Sequence, residues 1–295
     1  MQYPGAGIAL FYTGGEYGEG YKMKEISSKD NQWVKLACSL KTKKGRQEQR
    51  RVLVEGIRII SDAAVHGIQD VTCFISSKGL QRKGASLLQE KGKQLGWRFF
   101  FVTDGVYDKL KDTQNSQGIA AILPFFEYAA ADVVKLSDMR LILYLQAIQD
   151  PGNLGTIIRT AAAGNVAAIF LSPDSVDLYN DKTMRSAMGA LFKIPVVQHV
   201  ELSAVLHFCK VSGRRLLGTS PHGKKSYADM EYSQPIVLAF GNEGNGLTEN
   251  FLQACDELIT IPMCHDTESL NLSMSVGIVI YKAWEMQEFR EDSDD

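Results

Sequence analysis

Short apolar runs of strand length alternate with helical patterns along most of the chain, and this alternation limits the fold more than any other feature of the sequence. The clearest example is residues 141–164. Residues 141–147 are almost all apolar, Asp150-Pro151-Gly152 interrupts the pattern, and apolar residues with helical spacing follow from Asn153. Repeated units of strand, loop and helix predict an α/β fold whose parallel sheet is covered by helices on both faces.

The positions of these patterns predict two domains within the 295 residues. We expect a smaller α/β/α domain over residues 23–130 and a larger parallel-sheet domain over residues 139–289. Strands of the smaller domain are predicted at 52–55, 71–76, 97–102 and 119–123. Strands of the larger one are predicted at 141–147, 167–171, 194–198, 215–219, 236–240 and 258–261, and a final helix at 269 to about 289. Residues 1–22 contain six glycines and no sustained period, and we expect a disordered extension there.

Charge and cysteine content narrow the classes of function. The chain has 32 Lys and Arg against 34 Asp and Glu, a net charge of −2, so any surface that binds nucleic acid must be local. The densest basic segment, residues 41–51, contains six basic residues and one acid, Glu48. Such a run is typical of a solvated helix face or linker, or else of an arm that contacts phosphates.

The five cysteines are scattered and lack CxxC spacing, so we expect neither disulfides nor a metal site. No apolar run approaches membrane-spanning length, and no basic-then-apolar leader opens the sequence. These patterns predict a cytoplasmic protein.

Two stretches place polar side chains directly after a predicted strand. In the first, Asn153 and Arg159 lie about one and a half helical turns apart, and this stretch taken alone is better explained by a helix cap and a solvated surface charge than by a ligand site. In the second, Gly-Asn-Glu-Gly-Asn-Gly at 241–246, three glycines allow a ligand to approach the backbone closely. The loop lacks Walker spacing and a lysine, and Glu243 would repel an anion. This loop therefore suits a cationic or neutral ligand.

The third stretch, residues 261–277, leads into the final predicted helix. Thr267 and Ser269 are both candidates for its N-cap. Ser269, Asn271 and Ser273 cluster in the opening turns, where Asn and Ser are poor helix formers. Capping explains one of these residues, and the others indicate a functional site.

Taken together, these residues resemble a known family. The segments DPGNLGTIIRTA, FGNEGNGL and IPMCHDTESLNLSMSVG resemble, in order and spacing, the three motifs of the SpoU family of RNA ribose 2′-O-methyltransferases, within the SPOUT superfamily. The segment NDKTMRSAMGALFKIPV is similar to another part of that family. In the first domain, VLVEGIRIISDA resembles the ribosomal-protein-like RNA-binding domain that many members have. The resemblance covers nearly the whole chain from Met23.

The resemblance implies S-adenosylmethionine as the methyl donor, a homodimer, and a deep C-terminal trefoil knot, an exception among chain topologies. It also implies a set of site residues. The implied cofactor-binding residues are Gly241, Ile261, Leu270, Met263, Thr219, Ser269 and Asn242. The implied catalytic residues are Arg159, Asn153, Glu243, Asn271 and Ser273.

Charge considerations refine the implied roles. A guanidinium stays protonated in proteins, so we expect Arg159 to stabilise the developing alkoxide and to grip a phosphate rather than to act as the base. A carboxylate beside a sulfonium stabilises the reactant more than the transition state, so we expect Glu243 to orient Arg159 and to hold its loop. Asn153 and Asn271 are expected to position the ribose and the loop, and Ser273 to contribute a hydrogen bond.

Three functional alternatives remain open from the sequence. The favoured substrate is large-subunit ribosomal RNA, because a separate α/β RNA-binding domain favours a structured RNA, and transfer RNA is the alternative. A catalytically silent RNA-binding protein of the same fold would not need Asn153, Arg159, Glu243 and Asn271 together. A nucleotide-dependent enzyme of ordinary doubly wound fold would need a GxGxxG segment after its first strand, which this sequence lacks.

Overall fold

The computed structural model describes residues 23–134, 139–265 and 267–290, which form two compact units divided between Phe125 and Phe126. The segment 1–22, expected to be an extension, lies outside the described residues. Each unit has its own hydrophobic core. Among the described residues, no helix combines the length and apolar composition needed to cross a bilayer.

The N-terminal unit is a five-stranded mixed sheet covered by helices. Its elements are β1 (Lys24–Ile26), α1 (Gln32–Ser39), α2 (Lys43–Gln49), β2 (Arg51–Glu55), α3 (Ile57–Val65), β3 (Thr72–Ile75), α4 (Ser77–Leu80), α5 (Ala85–Gln94), β4 (Arg98–Val102), α6 (Asp104–Leu110) and β5 (Ile119–Pro124). The strand order is β1-β4-β3-β5-β2. Strand β5 is antiparallel to β2 and β3, and the other pairs are parallel.

Successive residues of β4 pack on opposite faces of this sheet, as strand geometry requires. Phe100 belongs to the core that α1 and α6 cover, and its ring stacks on Phe74 with centroids 6.1 Å apart. The neighbouring Phe99 packs on α5, where a Cβ added at Gly92 would lie 2.6 Å from the Phe99 ring. The expected α/β/α layering is therefore confirmed, although the sequence did not predict β1, α1 or α2.

The C-terminal unit is built on a seven-stranded sheet. Its elements are α7 (Ala130–Val134), β6 (Ile142–Leu145), α8 (Pro151–Ala163), β7 (Ala168–Leu171), α9 (Asp181–Ala187), β8 (Val196–Val197), α10 (Leu202–Ser212), β9 (Arg215–Thr219), β10 (Lys225–Ser226), β11 (Ile236–Phe240), α11 (Glu249–Ala254), β12 (Glu257–Thr260) and α12 (Leu272–Met286). The strand order is β10-β12-β9-β11-β6-β7-β8, and every pair is parallel. The predicted parallel sheet is confirmed, with β10 as an additional short strand. The trefoil knot stays a prediction.

Helices cover both faces of this sheet. On one face, the Tyr144 ring of β6 stacks on Phe251 of α11 with centroids 4.8 Å apart. Helices α8 and α12 pack closely enough that a Cβ added at Gly164 would meet Ile280 at 2.4 Å. A glycine at the end of α8 is therefore a steric requirement of the packing between these two helices.

Four neighbouring parallel strands, β12, β9, β11 and β6, end at the same edge of the sheet. In parallel α/β sheets, ligands bind in the crevice beyond the carboxyl ends of the strands. The segments that follow β6, β11 and β12 are the three stretches singled out in the sequence. The topology thus brings their starting points to one edge.

Candidate active site

Helix α8 begins with a capping arrangement that fixes the direction of its first turn. Asp150 is the N-cap: its Oδ1 accepts a hydrogen bond of 2.8 Å from the backbone N of Asn153. Pro151 occupies the first helical position, where its missing N–H costs nothing. The capping alternative for Asn153 is wrong, because Asp150 is the cap, and the Asn153 side chain remains available for other contacts.

The loop after β11 is built around Asn242. Its Oδ1 accepts hydrogen bonds from the backbone N atoms of Gly244 and Asn245, at 2.9 and 3.0 Å, and its Nδ2 donates to the carbonyl of Ala147 at 2.8 Å. The backbone of Gly241 lies so close to the returning chain that an added Cβ would be 1.9 Å from the carbonyl carbon of Gly246. The tight turn therefore excludes any side chain at position 241.

Glu243 joins this loop to the start of α8. Its Oε2 accepts from the backbone N of Gln149 at 3.1 Å, and its Oε1 accepts from the backbone N of Asp150 at 3.2 Å. The same Oε1 also accepts from the Asn153 side-chain Nδ2 at 3.1 Å. Partial burial alone would raise the pKa of Glu243, but these hydrogen bonds outweigh it and lower the pKa below its usual value. Glu243 is therefore an anionic acceptor at neutral pH.

Asn271 connects the third stretch to the same network. It is the N-cap of α12, and its Oδ1 accepts from the Ser273 backbone N at 2.9 Å and from Ser273 Oγ at 2.6 Å. Its Nδ2 donates to Asn153 Oδ1 at 3.0 Å. The prediction that Thr267 or Ser269 caps the helix is wrong, because α12 begins three residues later than predicted.

These contacts form one chain of hydrogen bonds, in the order Ser273, Asn271, Asn153 and Glu243, which links all three stretches. A cavity of about 560 Å³ lies over this chain. Its lining is polar and consists of Gln149, Asp150, Asn153, Asn242, Glu243, Gly244 and Asn271. Four of the five implied catalytic residues are thus joined, and three of them line the cavity.

Arg159, the fifth implied catalytic residue, is not among the residues that line this cavity. Its Nη1 donates to the thioether sulfur of Met188 at 3.0 Å, at the end of α9. Met188 itself has a φ of 48°, in the left-handed region. Within one chain Glu243 does not contact Arg159, because its carboxylate accepts from N–H donors at the start of α8, and its expected role in orienting Arg159 stays a prediction.

The implied cofactor-binding residues divide into three groups. Thr219, Gly241 and Ile261 lie at the ends of the adjacent strands β9, β11 and β12, where Thr219 pairs with Ile259 and donates its hydroxyl to Ala239 O at 2.9 Å. Ser269, Leu270 and Met263 are exposed in the segment after β12. Asn242 lines the polar cavity, and its side chain is hydrogen-bonded to the backbone of Ala147 and of its own loop.

The strand ends fit a small ligand that is bound largely through backbone groups. The turn at Gly241 has no room for a side chain, so this strand end presents backbone atoms only. The segment after β12 leaves two large apolar side chains exposed, with Leu270 and Met263 at 37% and 38% exposure. Backbone donors and acceptors beside apolar side chains suit a ligand with a heteroaromatic ring and polar substituents.

Four residues at or beside the site were missed by sequence reasoning: Gln149 and Asp150 line the cavity, and Lys182 and Met188 contact Asp150 and Arg159. Asp150 had a usable signal, since an acidic residue directly before Pro marks an N-cap followed by the first helical position. Lys182 contacts Asp150 with Nζ–Oδ2 3.0 Å, and both side chains are about half exposed. Gln149 contributes through its backbone N, and Met188 through its sulfur, and neither contact has a sequence signal.

Comparisons with known proteins agree with this arrangement. Residues 140–281 match the sequence model of the SpoU rRNA Methylase family, and residues 31–121 match that of the MRM3-like substrate binding domain.

Two relatives and one solved structure cover most of the chain. An uncharacterized tRNA/rRNA methyltransferase of Synechocystis sp. is 32% identical over 270 residues, which is 89% of this chain and 94% of that protein. The 23S rRNA (guanosine(2553)-2'-O)-methyltransferase RlmP of Bacillus subtilis is 31% identical over 264 residues, 88% of this chain and 98% of that protein. The AdoMet-bound rRNA methyltransferase from Sinorhizobium meliloti superposes with a TM-score of 0.80 at 28% identity, covering 89% and 98% of the two chains.

Proposed function

Because the chain belongs to the SpoU family of rRNA methylases, we propose that it transfers a methyl group from S-adenosylmethionine to a ribose 2′-hydroxyl of large-subunit ribosomal RNA. The observation that supports this most directly is the hydrogen-bonded chain from Ser273 to Glu243, since it joins all three motifs at one polar cavity. The donor, when bound, supplies an electrophilic methyl group on a sulfonium, and the protein positions the attacking oxygen.

The two asparagines at the cavity have a defined hydrogen-bonding polarity. The carbonyl oxygen of Asn271 accepts from Ser273, and that of Asn153 accepts from Asn271. Each side-chain amide therefore donates one N–H to the next residue of this hydrogen-bond network. Its second N–H has no protein partner among the described residues. These two N–H groups can donate to oxygen acceptors of a ligand, such as the ribose and phosphate oxygens of an RNA nucleotide.

Glu243 acts on the site through Asn153 and the loop. Its charge is compensated by three N–H donors, so it holds the start of α8 and fixes the Asn153 amide. We assign it no role as a proton acceptor, because its lowered pKa makes it a weak base. Proton loss from the 2′-hydroxyl goes to water or to a phosphate oxygen in this proposal.

Arg159 holds its guanidinium against a neutral sulfur, and no carboxylate contacts it among the described residues. A guanidinium without a counter-ion is suited to pair with an RNA phosphate and to stabilise a developing alkoxide. It follows Asn153 by six residues on α8, which is about 9 Å along the axis and about 240° around it. Within one chain, the two side chains therefore leave the helix in different directions.

A homodimer would bring Arg159 to a cavity, and we include it in the proposal. Helix α12 exposes Met274 at 60% and Tyr281 at 44%, on the side where it packs beside α8. Apolar side chains on a two-helix face are typical of a surface that a second copy covers. In the dimer, Arg159 of one chain would serve the cavity of the other. We also propose that the protein works in the cytoplasm, on the RNA of the ribosomes there.

The test combines donor binding, methyl transfer and mass. S-adenosylmethionine is expected to raise the melting temperature, while NAD and ATP do not, and light scattering is expected to give twice 32.6 kDa. With labelled donor, ribosomal RNA of the large subunit should acquire 2′-O-methyl groups, and transfer RNA should not. Asn153→Ala should lose transfer and keep donor binding.

The matched control is Asn250→Ala, an exposed asparagine on α11 whose side chain makes no hydrogen bond among the described residues. It should behave as the native chain. If transfer RNA becomes labelled instead of ribosomal RNA, the proposed substrate is wrong. If the protein binds RNA but not S-adenosylmethionine, it is a catalytically silent RNA-binding protein and not an enzyme.

A further inference from the structure

We propose that four cations at one edge of the N-terminal unit, Arg58, Lys78, Arg82 and Lys83, form the surface that binds the phosphates of the RNA substrate. We call this set the basic edge. The inference rests on the proposed function, because it names the surface that engages the same RNA. None of these four residues belongs to the dense basic run at residues 41–51.

The fold, rather than the sequence spacing, brings these four residues together. The turn between α4 and α5 contains Arg82 and Lys83, and Gly84 at its end lies against α3, with its added Cβ 3.6 Å from Ile57 Cδ1. Arg58 is the next residue of α3. Lys78 lies on α4, which is held to the β5 side by Gly79, where an added Cβ would be 2.2 Å from the carbonyl oxygen of Gly118.

The charges of the basic edge are not neutralised by the protein. All four side chains are exposed, and none has an ion pair or hydrogen bond among the described residues. Asp62 follows Arg58 by four residues on α3 and makes no ion pair with it in the described part of the chain, and Asp104 accepts from Ser77 Oγ at 3.2 Å. Glu55, at the end of β2, is engaged with the backbone N atoms of Asp112 and Thr113. A net excess of positive charge therefore remains.

The basic run at residues 41–51 is different, because most of its cations are used within the protein. Lys41 pairs with Asp112 at 2.8 Å, and Arg51 pairs with Asp70. Arg46 is buried and donates to the carbonyls of Leu40 and Lys41 at 3.1 and 3.2 Å. The Arg50 guanidinium lies 5.1 Å from the centroid of the Phe125 ring. The run forms helix α2, as one of its two interpretations expected, but most of its cations are bound within the protein rather than solvated.

The neighbourhood of the basic edge also offers groups that bind bases. Gln114 and Asn115 are exposed in the loop before β5. That loop is held to α3 by Gln117, whose Oε1 accepts from the Ile57 backbone N at 3.0 Å. Side-chain amides next to phosphate-binding cations match the recognition of unpaired RNA, in which the backbone is neutralised and exposed bases are hydrogen-bonded. This combination favours RNA over an acidic protein segment.

The experiment removes the four charges in the full-length chain, as Arg58→Gln, Lys78→Gln, Arg82→Gln and Lys83→Gln. Binding of transcribed 23S ribosomal RNA is measured between about 50 and 300 mM KCl. Loss of four phosphate contacts should reduce the slope of log K against log salt by about 3, and weaken binding at least tenfold at about 100 mM. The control variant removes four exposed cations of the same unit: Lys24, Lys29, Lys43 and Lys109. It should keep most of the slope.

Each outcome bears on the proposal. An unchanged slope in the basic-edge variant, or an equal loss in the control variant, would overturn it. Displacement of the RNA by poly-glutamate through the same four residues would also overturn it in favour of a general polyanion site. Calorimetry with S-adenosylmethionine separates this proposal from the proposed function, since donor uptake does not depend on these charges. Should the quadruple variant fail to fold, the four single substitutions, each expected to lower the slope by about 0.7 to 0.9, decide the matter.

Discussion

Replacing Glu243 with glutamine should damage both the stability and the activity of the C-terminal unit. The carboxylate accepts three hydrogen bonds: Oε1 from Asp150 N and Asn153 Nδ2, and Oε2 from Gln149 N. Glutamine keeps one oxygen and replaces the other with an NH₂ group. In either orientation of the new amide, the NH₂ group faces at least one N–H donor, so at least one hydrogen bond becomes a repulsive contact.

The network cannot adapt by reversing its amides. If Asn153 turned its oxygen towards the new NH₂ group, its own NH₂ would face the NH₂ of Asn271. If Asn271 then turned as well, its NH₂ would face the backbone N–H of Ser273, which cannot be reversed. Backbone N–H groups at both ends of the hydrogen-bond network thus fix which atoms of each side-chain amide accept and which donate. One unfavourable N–H to N–H contact therefore has to remain somewhere in the network.

The expected magnitude follows from the number of bonds and their exposure. A hydrogen bond to a charged group contributes about 1.5 to 3 kcal/mol when it is buried, and water replaces part of that at this exposed carboxylate, so we expect a loss of about 1 to 2 kcal/mol. For a unit of this size, that corresponds to a melting temperature lower by roughly 2 to 8 °C. A shift of Asn153 of the order of 1 Å should also lower the rate of methyl transfer about 100-fold.

The pH dependence gives a second readout. The pKa of Glu243 in the folded state lies below its ordinary value of 4.5. Its stabilising contribution is therefore complete above the unfolded-state pKa and is lost as the pH falls through the folded-state value. The difference in melting temperature between the native chain and Glu243→Gln should stay constant near neutral pH and shrink below pH 4.5.

The control is Glu249→Gln, the same substitution at an exposed carboxylate whose contact is the side chain of Gln253 at 3.0 Å. Differential scanning calorimetry and a labelled-donor assay measure both variants. A Glu243→Gln protein with native melting temperature and native rate would refute the reasoning. So would a destabilisation that persists unchanged at acidic pH, because the carboxylate would then not be its source.

Three further predictions concern Arg159 and its contact with Met188. Arg159→Ala should bind S-adenosylmethionine within about twofold of the native chain in calorimetry and lose about 100- to 1,000-fold in methyl transfer, and weak donor binding would count against its role. In the second experiment, the Arg159→Ala protein is mixed with the inactive Asn153→Ala protein and the subunits are allowed to exchange. Part of the activity should return if the arginine of one subunit acts at the cavity of the other. A mixture without activity would exclude that arrangement. Met188→Leu keeps the side-chain volume and removes the sulfur acceptor, so kcat/KM should fall about 2- to 10-fold, and a much larger loss would give Met188 a different role.

The strands were predictable from the sequence because fully buried parallel strands are continuous apolar runs. The runs at 215–219 and 236–240 coincide with β9 and β11. Short elements without such a run escaped prediction: β1 has three residues, and α2 is a seven-residue helix of mostly polar side chains capped by Thr42. These elements are stabilised by packing and by caps, which a hydrophobic pattern does not record.

The candidate site was predictable in its membership and not in its contacts. Asn153, Glu243 and Asn271 were singled out because they match functional polar positions of the three family motifs. Their partners depend on which backbone N–H groups point at which side chain, as with Gln149 N and Glu243 Oε2. Opposite charge suggested Arg159 as the partner of Glu243, but nearer amide donors occupy that carboxylate.

The hydrogen bond between the two asparagines has a consequence for the order of events during synthesis. Asn153 leaves the ribosome 118 residues before Asn271. At a synthesis rate of about 5 to 20 residues per second, Asn271, the hydrogen-bond donor to Asn153, is made roughly 6 to 24 seconds after Asn153. The hydrogen-bonded network of the site is therefore complete only after the last helix has been made.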